Sequence, residues 1–374
     1  SKNDLWVLDL EDGGLENRTA GLTVGVGGTL SMRMPAKGLS GIKLLIIDSG
    51  DSVYIRVQAG GTVHVYLISL TGEVKWSQET SGDRVCLPLD LHSRGLLCAV
   101  TDLNTPPELI ILTPNTGDEE KITTINDKFL DMLSKPVTVP VKFNGTDGVP
   151  VEGWYMKPVS GAAPYPTILY IHGGPHAAYG NGFAFDFQML AGQGYGVLFI
   201  NHRASTGYGD DFSTAIKGNW GVLDYGDLMA GVDEAIHLGL GDSDKMGVCG
   251  TSGGGNLSCW IVGHTDRFNA AVPQNPVTNW RSFYGTSDIG VWFSVEELGG
   301  HPQDISNVYE RCSPITDAHC CKTPTLMVQS ENDWRCPAEQ SEQFYSVLKA
   351  NGCTVEMLRQ PGGFHGASIY GAVN

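Results

Sequence analysis

From Val137 onward, short apolar runs alternate with stretches of helical periodicity, and no other feature of the 374-residue chain limits its fold as much. Thr167-Ile168-Leu169-Tyr170-Ile171 leads into a Gly-rich turn. Gly196 to Asn201, Lys245 to Cys249, Ala270 to Val272 and Thr323 to Gln329 repeat the pattern. Between the second and third runs, Asp224 to Leu238 places Leu228, Val232 and Ile236 on one helical face. Strands this apolar are covered on both sides, so the alternation predicts a mostly parallel sheet between helices. Residues 1 to 132 read differently. Leu5 to Leu10, Val63 to Ile68 and Leu109 to Leu112 are β-runs closed by the turn signals Gly13-Gly14, Gly72 and Gly117. Turn endings at roughly 50-residue intervals suit propeller blades. Only two to three blades' worth of chain is present, against the usual 4–8. A partial β-propeller is therefore expected over 1–132, with a small β-sandwich as the other fold of this pattern. Asn126 to Leu133 reads as a linker helix stopped at Lys135-Pro136, and 133–374 as the α/β domain.

Composition narrows the functions. Hydrophobic residues make up 41% and charged residues 17%, a globular balance. With 41 acidic against 24 basic side chains, the net charge of −17 argues against nucleic acid or an anionic membrane as partner. No run of about 18 apolar residues predicts a membrane span. The nine cysteines form no disulfide framework, and Ser1-Lys2-Asn3-Asp4 does not read as a signal peptide, so reduced thiols in a cytoplasm are expected. His319-Cys320-Cys321 with Cys312 lacks the spacing of structural zinc and reads as thiols. Gly207-Tyr208-Gly209 lacks the Lys-Ser/Thr of a phosphate loop. No metal or organic cofactor is expected.

Gly250-Thr251-Ser252-Gly253-Gly254 fits the nucleophile elbow, G-x-S-x-G, of α/β-hydrolases. The requirement is steric: Ser sits on a strained strand-to-helix turn, so its neighbours two residues away must be small. The strand 245–249 precedes it, and Asn256 to Val262 can continue as helix. In a chain with 49 glycines, an idle Ser in a Gly-rich loop is the alternative. Three features favour the elbow. His172-Gly173-Gly174-Pro175 follows a strand, so a backbone N–H there and that of Gly253 could form an oxyanion hole. Asp333 follows the strand 323–329, and His365 lies in a Gly-rich loop. Ser, Asp, His is the order that α/β-hydrolases use. A Ser hydroxyl needs a base, His365, to take its proton; Asp333 would fix the imidazole tautomer. His172 is a rival base, although its place before Gly-Gly suggests a structural hydrogen bond. His202, His237 and His264 read as surface or core residues. Asp317 and Asn332 are rivals for the acid, and Asn332 cannot carry charge.

Together with Asn201-His202-Arg203-Ala204-Ser205-Thr206-Gly207-Tyr208-Gly209, Asn219-Trp220-Gly221, Asp224-Tyr225-Gly226-Asp227 and Asp333-Trp334-Arg335-Cys336-Pro337, these residues resemble the prolyl oligopeptidase family, in its acylaminoacyl-peptidase-like branch. The likeness spans nearly all of 137–370. It implies an α/β-hydrolase domain behind an N-terminal β-propeller and a Ser252, Asp333, His365 triad. It also implies oxyanion donors at Gly174 and Gly253, and Arg335 as an Arg that binds a backbone carbonyl of the peptide. The other role for Arg335 is a surface salt bridge. The family usually has Tyr where Gly253 and Asn256 stand; the first change is expected to enlarge the pocket beside Ser252. Only nine residues follow His365, so the family's last helix is expected to be missing. Glu296-Glu297 reads as an ordinary helix segment, not the paired Glu of the dipeptidyl branch. The expected substrates are small peptides, acylated peptides or small acyl esters, with a carboxylesterase of little peptidase activity as the alternative and an inactive scaffold as the third. Unpaired strand edges of an incomplete propeller make homo-oligomers an expectation.

Overall fold

The computed structural model describes residues 2–32, 43–47 and 49–366. The expected loss of a last helix falls on 366–374 and lies, beyond Gly366, outside the described residues. The chain forms two compact units. The expected division at 132/133 falls between Lys135 and Pro136, and two stretches of the C-terminal part, Ala177–Phe185 and Ser205–Ser213, group with the first unit.

The first unit is antiparallel. A hairpin of β1 (Trp6–Leu8) and β2 (Leu15–Asn17) precedes two four-stranded meanders. The first meander joins β3 (Leu45–Ile46), β4 (Ser52–Ala59), β5 (Thr62–Ser69) and β6 (Trp76–Gln78). The second joins β7 (Val85–His92), β8 (Gly95–Asp102), β9 (Thr105–Thr113) and β10 (Asp118–Lys121). A four-stranded antiparallel meander is the unit of a propeller blade, and a single parallel bridge, Val63 to Val85, connects the two. Alternate residues of a strand face opposite sides. In β4 this sends Val53, Ile55 and Val57 to a core with Leu22 and Ile68, and Tyr54 to another with Val65, Leu96 and Leu112. The two grafted stretches are held by backbone bonds within the unit: Asn181 N–H donates to Gly61 O at 2.8 Å, and Gly60 N–H to Gly207 O at 2.8 Å. At Gly180 a Cβ would lie 2.3 Å from Gly61 O, so this approach requires glycine. The expected linker helix is a single turn, α1 (Asp127–Leu130), whose Asn126 side chain makes no capping bond and donates instead from Nδ2 to Glu108 Oε1 at 2.9 Å.

The second unit is an eight-stranded sheet flanked by helices. Its strands are β11 (Thr138–Asn144), β12 (Pro150–Met156), β13 (Tyr165–Ile171), β14 (Gly196–Asn201), β15 (Gly241–Thr251), β16 (Ala270–Gln274), β17 (Thr325–Ser330) and β18 (Val355–Gln360). Their order in space is β11-β12-β14-β13-β15-β16-β17-β18. The first two pairings are antiparallel and the rest parallel. Its helices are α2 (Phe185–Gly192), α4 (Leu223–His237), α5 (Gly253–His264), α6 (Trp280–Thr286), α7 (Gly290–Leu298), α8 (Ser306–Arg311) and α9 (Ala338–Ala350), while α3 (Asp210–Thr214) lies almost wholly in the stretch Ser205–Ser213 of the first unit. The chain thus has the α/β-hydrolase fold preceded by a β-rich partial propeller. Every residue of β14 is buried, as its apolar run requires. Helix α4 buries Asp224, Asp227, Leu228, Gly231, Val232 and Ala235 on one face. Helix α5 is buried on all sides from Gly253 to Gly263, so it carries no charged residue. Among the described residues no helix is long and apolar enough to cross a membrane.

Arg203 fixes the loop after β14 to α4. Its Nε and Nη2 donate to Asp227 Oδ2 at 2.9 Å and Oδ1 at 2.6 Å, and its backbone N–H donates to Asp227 Oδ2 at 2.8 Å. Both side chains are buried. Removing one partner of a buried pair leaves the other charge poorly compensated, and against Arg203 the half-exposed Asp147 would remain. Asp227→Ala is therefore expected to lower the unfolding free energy by about 3–5 kcal/mol, read as a fall in urea midpoint at unchanged slope.

Candidate active site

Ser252 stands at the carboxyl end of β15 and caps α5, at φ 61° and ψ −118°. A non-glycine residue held at positive φ is strained, and such strain persists only where the surroundings over-determine it. The surroundings are backbone on every side. Ser252 N–H donates to Gln274 O at 2.9 Å, and Asn256 N–H to Ser252 O at 2.8 Å. A Cβ at Gly250 would lie 2.6 Å from the Gly254 carbonyl, and one at Gly254 would lie 2.2 Å from Ile171 O. These contacts are the steric reason for glycine on both sides of the serine. Gly254→Ala is expected to displace the turn and lower kcat about 100-fold, the usual cost of a misplacement near 1 Å; steady-state kinetics alongside a melting curve would separate this from unfolding.

The loop after β13 approaches the same turn. A Cβ at Gly173 would lie 2.8 Å from Thr251 O, and Gly174 takes φ +122°. At Gly253 a Cβ would meet Gly174 backbone atoms at 3.1–3.2 Å. Glycine at 253 therefore lets the two loops close backbone to backbone, in addition to leaving no side chain beside Ser252. Asn256 is turned into the core, donating from Nδ2 to Val277 O at 2.7 Å.

Asp333 and His365 follow the carboxyl ends of β17 and β18, neighbours in the sheet. His365 Nδ1–H donates to Asp333 Oδ2 at 2.7 Å, which leaves Nε2 as the basic nitrogen. Asp333 is buried, and its Oδ1 accepts from the backbone N–H groups of Arg335 at 2.9 Å and Cys336 at 2.8 Å. Burial alone would lower the His365 pKa; the hydrogen bond to Asp333 and contact with Cys336 outweigh it and hold the imidazole above its ordinary value. Ser252 Oγ lies 3.9 Å from the Sγ of Cys336. Cys336 thus touches Ser252, Asp333 and His365. The loops that carry Asp333 and His365 are also tied directly, Asn332 N–H to Gly363 O at 2.8 Å. Active groups at the carboxyl ends of parallel strands are the rule for such sheets.

The rivals fall elsewhere. His172 is buried, stacked on His202 at 4.5 Å between ring centroids, and its Nδ1–H donates to Gly173 O at 2.8 Å. Burial first, then His202, push its pKa down to about 3, so this ring stays neutral and structural. His237 is paired with Glu234 at the end of α4, and Asp317 with His264 at 3.4 Å. Arg335 forms a two-pronged ion pair with Asp288, Nε to Oδ1 at 2.8 Å and Nη2 to Oδ2 at 3.3 Å, both side chains about two-fifths exposed. This ion pair fixes the direction of the guanidinium. Glu297 is buried in α7 with His176 Nε2 on its Oε1 at 2.9 Å. Among the described residues no group of three His, Cys, Asp or Glu could hold a metal ion.

Sequence reasoning missed two residues. Asn275, at positive φ after β16, accepts at Oδ1 from Ser330 N–H at 2.8 Å and donates from Nδ2 to His365 O at 3.2 Å, so it braces the base from behind. Cys336 was seen only as part of a motif. Nothing local in the sequence marked either role.

Residues 181–372 match the prolyl oligopeptidase family. An uncharacterized peptidase of Bacillus subtilis, YuxL, is 36% identical over 376 residues, covering 98% of this chain and 56% of that protein. Acylamino-acid-releasing enzyme 1 of Oryza sativa is 31% identical over 268 residues, covering 68% of this chain and 34% of the enzyme. Among solved structures, the acylaminoacyl peptidase of Pyrococcus horikoshii superposes with a TM-score of 0.87 at 28% identity, over 99% of this chain and 56% of that one. The chain spans little more than half the length of the first of these relatives. The family match covers more than half of the 374 residues, and the chain belongs to the prolyl oligopeptidase family.

Proposed function

We propose that the chain is a serine hydrolase that cleaves peptide bonds, with short acylated peptides as its substrate class. The observation that carries this reading is the Asp333–His365 hydrogen bond of 2.7 Å beside a serine held at φ 61°. Ser252 Oγ attacks the carbonyl carbon while His365 Nε2 takes its proton. Negative charge collects on the carbonyl oxygen and is met by the N–H groups of Gly174 and Gly253. The second lies in the first turn of α5, where N–H groups have no intrahelical acceptor. The imidazolium, stabilised by Asp333, protonates the leaving amine, and the acyl-enzyme forms. Water activated by His365 then releases the acid. Arg335 serves as a carbonyl-binding group whose guanidinium is oriented by Asp288. Relatives named acylamino-acid-releasing enzymes support acylated N-termini as the substrate feature.

Glycine at 253 supports a second reading, a carboxylesterase on small acyl esters. Esters need less leaving-group protonation than amides, and no side chain at 253 selects the acyl group. Hydrolysis of a short-chain p-nitrophenyl ester and of an N-acetylated amino-acid p-nitroanilide, measured side by side, tests the two. Cleavage of both supports the peptidase. Cleavage of the ester alone supports the esterase, and cleavage of neither overturns both.

A further inference from the structure

All nine cysteines carry free thiols, and two of them face each other at the end of the sheet opposite Ser252. Cys321 and Cys353 bring their Sγ atoms to 3.9 Å of one another. Both thiols point at one carbonyl, Thr323 O, from 3.6 Å and 3.4 Å, so no backbone stands between them. Cys321 precedes β17 and Cys353 precedes β18, and these strands pair in parallel from Thr325 and Val355 onward. The two sulfurs therefore sit at the entry of the very strands that deliver Asp333 and His365 at their exits. A bond between them would tie the two strands at one end and close the chain from 321 to 353 into a ring containing β17, the acid loop and α9.

We infer that Cys321 and Cys353 form a dithiol modification site whose co-reactant is a low-molecular-weight disulfide such as glutathione disulfide. The Cys353 thiolate attacks one sulfur of the small disulfide, giving a mixed disulfide and releasing one small thiol. The Cys321 thiolate then attacks Cys353 Sγ, forms the Cys321–Cys353 bond and expels the second small thiol. Two protein thiols are oxidised, one small disulfide is reduced, and two small thiols leave with the two protons. Both thiols are buried, Cys321 more deeply at 5% exposure against 9% for Cys353, which makes Cys321 the second, resolving thiol, acting at a contact already formed. Cys320 next door is exposed, with its Sγ 3.4 Å from His319 Nε2, and would take up a small thiol on its own account; the test removes it.

The full chain carrying Cys320→Ser is incubated under native conditions with glutathione disulfide, digested without reductant and mapped by mass spectrometry. The expected product is a cross-linked peptide pair containing Cys321 and Cys353, two hydrogens lighter than the free peptides. It should come with an upward shift of the melting temperature that dithiothreitol reverses. Further change of Cys353 to Ser should abolish both the cross-link and the shift. A protein that gains only a mixed disulfide at Cys353, or that cross-links these residues only in denaturant, overturns the proposal. So does a melting shift that survives Cys353→Ser. The assignment can be read on the unsubstituted chain as well, so a poorly folding variant does not remove the test.

Discussion

Ser252→Ala is expected to abolish hydrolysis of ester and anilide alike, lowering kcat about a millionfold, as removal of the nucleophile does in serine hydrolases. The variant should fold. Alanine and serine meet the same penalty at φ 61°, and the bonds that hold the turn, Ser252 N–H to Gln274 O and Asn256 N–H to Ser252 O, belong to the backbone. An unchanged melting temperature beside lost activity therefore places the effect in chemistry. Substrate binding should survive, so equilibrium binding of an uncleaved N-acetylated peptide should match that of the parent protein. Cys336 sharpens the result, because its buried Sγ stands 3.9 Å from the serine oxygen and touches the base. Residual acyl transfer that vanishes on adding Cys336→Ala would assign that remainder to the thiol. Ester cleavage at the parental rate in Ser252→Ala would remove Ser252 from the mechanism, and the triad with it.

The parts of this molecule that were legible in sequence are those whose causes are local. The run Gly196 to Asn201 became β14 residue for residue, because a strand buried on both faces favours apolar side chains up to its exit, where the buried Asn201 stands. The elbow was legible because Gly250 answers a clash with Gly254, four positions on, although Gly254 itself meets Ile171 O in a distant strand. Features with distant causes were not. Strands β11 and β12 form the antiparallel edge, where Lys142 and Glu152 interrupt the apolar pattern. Helices α6 to α8 owe their place to an aromatic core that joins Trp220 to Trp280 and Phe283, some sixty positions apart. The stretches 177–185 and 205–213 join the first unit through Gly180 against Gly61 and Gly207 against Gly60, partners more than a hundred positions away. At the site, Ser252, Asp333 and His365 could be named from their order along the chain. Asn275 could not, since its role lies in bonds to residues 55 and 90 positions later. Arg335 was assigned by resemblance to peptide binding, and only the fold reveals Asp288 as its partner.

Asp333→Asn is expected to lower kcat about ten-thousandfold while leaving the fold in place, for reasons that are visible in the hydrogen bonds. Oδ1 of residue 333 would still accept from the N–H groups of Arg335 and Cys336. An amide –NH2 would replace Oδ2, which now accepts from His365 Nδ1–H. A donor facing Nδ1 drives the proton to Nε2, the wrong tautomer for taking a proton from Ser252. The pH profile carries a second, independent mark. In the parent protein the carboxylate holds the His365 pKa up against burial. The neutral imidazole is the base, so kcat/KM should rise with pH through a midpoint above the ordinary 6.5. Without the carboxylate, burial is opposed by the contact with Cys336 and no longer by Asp333, and the midpoint should move down. Stability follows the opposite sign. A raised His pKa contributes stability that is full below about 6.5 and is lost as pH rises through the folded value, so the parent's advantage over Asp333→Asn should shrink on going to alkaline pH. A variant whose midpoint stays where the parent's was would show that Asp333 does not set the base's affinity for its proton, even if its kcat had collapsed.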